Sequence, residues 1–316
     1  AVPVEWMRKI KMNTTANLGK APVRTLVLQL AIPSMTAQFV NVLYSIIDRM
    51  YIGHISENGA LALAGAGICG PIVTLLTSFG TLVGIGGSIT MGIRMGEKNH
   101  KKAEQVLANS FLMLSIFSVL LTVSFLLLKD KLLMLFGASG ATFPFANTYL
   151  TIYTTGTFFA LMATGLNYFI NCQAFPLMGM FTVLIGAGCN ILSDPIFIFG
   201  FHMGISGAAI ATVIGQFCAM LIGYVITKVK IKELDIYMHN FSFSIPILCK
   251  IYKVGVPAIL MQSVLSFMTV FMNMILAPIS AMAITVFSVY YKLQNFLNMA
   301  VLGITNALIP IVAYNN

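Results

Sequence analysis

Val106-Leu-Ala-Asn-Ser-Phe-Leu-Met-Leu-Ser-Ile-Phe-Ser-Val-Leu-Leu-Thr-Val-Ser-Phe-Leu-Leu-Leu128 runs without a single charged residue. Roughly 20 predominantly apolar residues, rising about 1.5 Å each as a helix, cross the hydrocarbon core of a bilayer. No water is present there to pair with backbone N–H and C=O groups, so the segment must satisfy them internally as a helix. The stretch therefore predicts a transmembrane helix. Seven others of the same kind lie on either side of it, at about 25–51, 61–93, 146–172, 177–200, 205–228, 252–277 and 281–313. Polar or turn-forming segments separate them, such as Gly96-Glu-Lys-Asn-His-Lys-Lys102, Gly137-Ala-Ser-Gly140 and the longer Lys228 to Lys253 connection. The expected fold class is an all-α, polytopic membrane protein of about eight transmembrane helices.

Composition agrees. Of the 316 residues, 58% are hydrophobic and 9% charged, against roughly 25% charged in a soluble domain. The net charge of +9 does not point to nucleic acid, because the basic residues sit between apolar runs and not on one polar surface. Cys69, Cys172, Cys189, Cys218 and Cys249 are scattered and contain no C-x-x-C pair, so they read as small packing residues and not as a zinc site or disulfide framework. His54, His100, His202 and His239 are equally far apart. Gly65-Ala-Gly-Ile-Cys-Gly70 matches G-x-G-x-x-G literally, but it lies inside an apolar run with no preceding strand, so no dinucleotide site is implied. Met7-Arg-Lys-Ile-Lys-Met12 has the form of a start, so residues 1–6 are expected to be an extension.

Lys and Arg concentrate in cytoplasmic loops. The N-terminal segment, the second loop and the 228–253 connection hold fourteen, whereas Arg49, Lys129 and Lys131 are the only three in the alternate loops; Lys292 falls inside the last helix. The N-terminus is expected in the cytoplasm. A weak repeat is visible: Ile32-Pro-Ser-Met-Thr-Ala-Gln38 parallels Val256-Pro-Ala-Ile-Leu-Met-Gln262, and Val83-Gly-Ile parallels Leu302-Gly-Ile. Six helices separate the copies, so both enter the membrane in one direction, as in two parallel lobes. The expected division is a cytoplasmic segment at 1–24, a six-helix lobe at 25–228, a cytoplasmic linker at 229–251, and the first two helices of a second lobe at 252–316.

Acidic residues inside a membrane are costly and point to function. Of nine Asp and Glu, only Asp48 and Asp194 fall within predicted helices. Ser34, Gln38, Asn41, Ser45 and Asp48 recur at steps of four and three, which puts them on one face. That face is either a hydrogen-bonded seam between helices or the wall of a wet cavity, and five polar groups ending in a carboxylate suit the cavity better. At the equivalent positions of the seventh helix stand Ala258, Gln262, Leu265, Thr269 and Met272, without a carboxylate. Asn190 and Asp194 also share a face, with Pro195 removing a backbone donor just beyond. Thr212 enters the next helix at a similar depth, so Asn190, Asp194 and Thr212 are placed to converge. Their oxygens suit a proton or a hard monovalent cation; alternatively, Asp194 caps a short helix starting at Pro195. Arg49 points about 100° away from Asp48 around the helix, so no permanent ion pair is implied.

Ile32-Pro-Ser34, Ile47-Asp-Arg-Met-Tyr-Ile-Gly53, Arg94-Met-Gly96, Asn190-Ile-Leu-Ser-Asp-Pro-Ile-Phe-Ile-Phe-Gly200 and Gly204-Ile-Ser-Gly-Ala-Ala-Ile-Ala-Thr212 together resemble the multidrug and toxic compound extrusion (MATE) family. The resemblance implies twelve helices in two six-helix lobes and export of organic cations or drugs in exchange for Na+ or H+, with no other cofactor. By similarity to the DinF-like branch, the cation site maps onto Asp48, Asn190, Asp194 and Thr212, and Asn41, Tyr149 and Asn167 match other polar cavity positions, beside Gln38 from the stripe. The seventh helix lacks the Glu of the NorM-like branch. On this reading the protein sits in the plasma (inner) membrane, and its partners are the bilayer, drug-like organic cations and the remaining helices of the second lobe, not nucleic acid. The chain stops about four helices short of the family's pattern, which is expected to reflect a fragment of a longer protein. The alternatives are a flippase of lipid-linked oligosaccharides, which needs a basic cavity where an acidic one is expected here, and a non-transporting fragment or scaffold. An enzyme is not expected, because no nucleophile with a base, metal cluster or phosphate loop is found.

Overall fold

Proline lacks the N–H that closes a helical turn, yet Pro33 lies inside a helix that runs unbroken over Val23–Gly53 (α1). Membrane helices tolerate such breaks because neighbouring helices restore the lost bonding. Pro71 in Gly59–Gly96 (α2) is accommodated in the same way. In the computed structural model, which describes residues 22–55, 58–230, 243–276 and 281–315, every regular element is helical. The chain continues through His100–Leu135 (α3), Phe143–Thr155 (α4), Thr157–Cys172 (α5), Pro176–Pro195 (α6), a π-helical segment at Ile196–Gly200, Ile205–Lys230 (α7), Ile245–Leu276 (α8) and Ala281–Asn315 (α9). Asn99 opens α3 by accepting a hydrogen bond from the backbone N–H of Lys102 at 3.1 Å, as an N-cap should.

The expected all-α architecture is what the structure shows. Among the described residues, Leu26–Gly53, Gly59–Gly96, His100–Leu135, Pro176–Gly200 and Ile205–Lys228 are each long and apolar enough to cross a membrane. The fourth expected helix, at 146–172, differs: it is broken into α4 and α5 at Gly156, whose φ of −83° and ψ of 2° interrupt the winding. A Cβ at Gly156 would stand 2.6 Å from Cγ2 of Val213, so α7 presses on the chain at the break. The expected segment at 1–24 and the linker at 229–251 fall largely outside the described residues, as do the side chains of Gln262, Leu265, Thr269 and Lys292.

Apolar side chains cover the outer surface as well as filling the core. Leu120, Val123 and Leu127 form an outward stripe on α3, with Leu127 79% exposed, as suits a lipid-facing surface. The interior is built around Leu76, Leu114, Leu150 and Leu161, contributed by α2, α3, α4 and α5. A smaller cluster of Leu26, Leu30, Ala307 and Ile311 joins the start of α1 to the end of α9. α8 packs along α2, and α9 packs along both α1 and α2.

Candidate functional site

α6 and α7 cross with their backbones in contact. A Cβ at Gly215 would lie 2.7 Å from the carbonyl oxygen of Gly186 and 3.0 Å from Cβ of Asn190. Glycine is required there because any side chain would push α7 off Asn190, and small residues at a membrane-helix crossing permit that approach. The crossing seals Asn190, 2% exposed, and Asp194, 0% exposed, inside the molecule.

Neither residue finds a protein partner. Both amide atoms of Asn190, both carboxylate oxygens of Asp194 and Oδ1 of Asp48 are buried without a hydrogen bond among the described residues. Leaving one buried polar group unsatisfied costs about 1–3 kcal/mol, more for a charge, so their grouping calls for an explanation beyond packing. Asp48 lies within electrostatic reach of Asp194, and Tyr44 lies within reach of both. Arg49 is exposed, and the ion pair among the described residues is Arg94–Glu97 at 2.6 Å. Thr212 donates to the carbonyl of Ala208 at 2.9 Å, and the Tyr149 side chain hydrogen-bonds to Thr212.

The helix-cap alternative for Asp194 does not survive. α6 runs through Asp194 to Pro195, and the chain then widens into the π-helical segment, where the Phe201 N–H donates to the Ile196 carbonyl at 2.9 Å. Because Pro195 has no N–H, the regular ladder lapses at this point, and a π-helical segment is one way a helix absorbs such a lapse. Asp194 is thus an unpartnered helical side chain beside a segment of irregular backbone.

A cavity of about 410 Å³ opens between α1, α2, α5, α6 and α7, with Tyr153 of α4 and Asn306 of α9 also on its wall. Five of the expected residues line it, namely Gln38, Asn41, Asn167, Asn190 and Thr212; Asp48, Asp194 and Tyr149 do not. The polar stripe on α1 is therefore divided. Ser34 is spent on the Leu30 carbonyl at 3.0 Å, Gln38 and Asn41 face the cavity, and Asp48 lies past its lining. Asn167 is on the wall but committed, donating to the Gly179 carbonyl and to Thr182 Oγ1 and accepting from Asn171, each at 2.8 Å. It ties α5 to α6. No charged side chain lines the cavity among the described residues, which corrects the expectation of an acidic cavity: the carboxylates stand beside it.

Sequence reading missed Tyr44, Tyr153 and Gln216, all on the cavity wall. Gln216 Nε2 donates to the Tyr153 hydroxyl at 2.9 Å while its Oε1 stays buried and unpartnered. Helical spacing carried the missing signal. Gln216 is four residues after Thr212, and Tyr153 is four after Tyr149, with the two rings stacked at 6.3 Å. Two carboxylates, an amide and a hydroxyl make an all-oxygen donor set, which suits a hard cation or a proton and not a soft metal.

The family model MatE matches residues 33–196. The multidrug export protein MepA of Staphylococcus aureus (strain MSSA476) is 27% identical over 302 residues, covering 94% of this chain. This chain spans 65% of the length of that relative. Among solved structures, a MATE protein crystallised in a bent conformation is 26% identical, with a TM-score of 0.86 over 94% of this chain and 66% of that one. A MATE protein in complex with MaD3S is 25% identical, with a TM-score of 0.88 over 95% of this chain and 68% of that one.

Proposed function

Since the chain belongs to the MatE family, we propose that it forms the larger part of a secondary exporter that expels drug-like organic cations in exchange for Na+ or H+. The observation that carries this reading is the set of five buried, unpartnered polar atoms on Asp48, Asn190 and Asp194. An entering cation supplies the missing partner and relieves the repulsion between the two carboxylates. Thr212 completes the donor set from α7. Asn190 belongs to both the cavity wall and the ion site, so occupation of one is felt at the other. The cavity walls offer amides, hydroxyls and phenols, and the carboxylates next to them give a field that favours a positively charged guest.

In this scheme the protein lies in the plasma membrane with its N-terminus in the cytoplasm, as the asymmetry of Lys and Arg supports. Residues 25–228 act as one lobe, 252–316 begin the second, and further helices complete the machine. Ion binding re-packs or bends α1 near Pro33, which moves Gln38 and Asn41 and drives the guest out. The flippase alternative is not favoured, since no basic side chain lines the cavity among the described residues.

The test is efflux of ethidium from vesicles containing the protein, under imposed Na+ and pH gradients, for wild type, Asp48→Asn and Asp194→Asn. Gradient-driven efflux that collapses in both variants supports the reading. Efflux and ion dependence that survive both substitutions would overturn it.

A further inference from the structure

Cys189 on α6 and Cys218 on α7 flank the crossing that seals the ion site. Each lies three residues past a contact glycine, Gly186 or Gly215, and Ala219, next to Cys218, sits with its Cβ 2.9 Å from where a Cβ on Gly186 would be. Packed helices usually keep their axes about 8–10 Å apart, too far for most facing pairs to meet the roughly 4.4–6.8 Å Cα separation of a disulfide. A glycine-mediated crossing removes that obstacle, and the Cys218 thiol has Cys189 as its interacting neighbour. The other membrane cysteines behave differently: Cys69 donates to the Ala146 carbonyl at 3.3 Å and Cys172 to the Ser88 carbonyl at 2.9 Å, and both are buried. Cys189 and Cys218 are partly exposed and do not line the cavity. One turn further along each helix, Leu192 and Leu221 are exposed, so this face of the crossing meets lipid.

We propose that Cys189 and Cys218 form an oxidation site, open to lipid-soluble hydroperoxides, whose disulfide clamps α6 to α7 beside Asn190. The thiol of one cysteine takes an oxygen atom from the hydroperoxide, giving a sulfenic acid and releasing the alcohol. The second thiol then displaces water: the S–S bond forms as the S–O bond breaks, and the two sulfurs together have supplied the two electrons that reduced the peroxide. The clamp fixes the spacing of the two helices that carry Asn190, Asp194 and Thr212, so the site can no longer adjust around an ion. The cross-link stands independently of the transport reading; only its effect on efflux rests on that reading.

The experiment treats the protein in lipid vesicles with cumene hydroperoxide, digests it and maps the cysteines by mass spectrometry. The expected product is a peptide pair joined through Cys189 and Cys218, two hydrogens lighter than the reduced pair, reversed by dithiothreitol and absent from Cys189→Ser and Cys218→Ser. The exposed Cys249 serves as the internal reference for reagent action. Oxidation of Cys249 while Cys189 and Cys218 remain thiols, or are oxidised separately, would overturn the site. In the efflux assay, treated wild type should lose activity reversibly while Cys218→Ser keeps it. A cross-link formed without change in efflux overturns the clamp, and absence of efflux before treatment counts against transport by this chain alone without touching the chemical result.

Discussion

Asp194 and Asn190 set the local problem: two buried polar side chains without a protein hydrogen-bond partner among the described residues. Replacing a buried, uncompensated charge by its neutral isostere commonly leaves a fold unharmed or more stable. Asp194→Asn is therefore expected to match or exceed wild type in thermal stability in Na+-free buffer, while losing the rise in Tm that Na+ gives the wild type if Na+ is the coupling ion. A ligand at 100 times its Kd stabilises by about 2.7 kcal/mol, a shift well within the range of a fluorescence melt. Unchanged Na+ stabilisation in this variant would remove Asp194 from the site. Thr212→Ala should act more weakly, because Thr212 already spends its proton on Ala208 and contributes only an oxygen. About a tenfold loss of ion affinity, near 1.4 kcal/mol, is the expected scale, measurable as a shift in the half-saturating ion concentration for efflux.

Among the elements, the crossing of α6 and α7 and the widened end of α6 do the positioning. Valine at 215 would place its Cβ 3.0 Å from that of Asn190 and 2.7 Å from the Gly186 carbonyl. Overpacking of that kind costs about 1–3 kcal/mol, so Gly215→Val should melt lower than wild type and lose coupled efflux, whereas Gly188→Ala, where a Cβ meets nothing within 4 Å, should change neither. Pro195→Ala restores a backbone donor and lets α6 wind regularly past Asp194. Its efflux should fall severalfold in a protein that still folds, and amide exchange at 196–201 should slow as the ladder regularises.

For the whole molecule, the contacts that matter join α8 and α9 to α1 and α2. Cβ atoms at Gly86 and Gly255 would collide with the backbone carbonyls of Ile251 and Leu82, and one at Gly96 with that of Tyr314. In the proposed orientation these contacts lie toward the cytoplasmic end, where they join α8 and α9 to α1 and α2. Gly96→Leu is expected to prevent that closure and leave the cavity open to the cytoplasm. A cysteine introduced at Asn41 should then react faster with a membrane-impermeant thiol reagent added from the cytoplasmic side than it does in a chain with Gly96 intact. Equal rates would place the closure elsewhere.

The sequence by itself determined the class and most of the helices, because bilayer thickness imposes a length and an apolarity that can be read locally, as in 106–128. It also picked out Asp48 and Asp194, because a carboxylate within an apolar run is conspicuous without any neighbours. Gln38 and Asn41 followed from helical spacing. Tertiary structure alone decided the rest. The break at Gly156 depends on Val213, and the commitment of Asn167 depends on Gly179 and Thr182 across a helix pair. The neutrality of the cavity depends on which way Asp48 and Asp194 stand relative to Asn190. Spacing along one helix gives the face a residue occupies, but what that face meets is set by how the helices cross, and a crossing belongs to two segments at once.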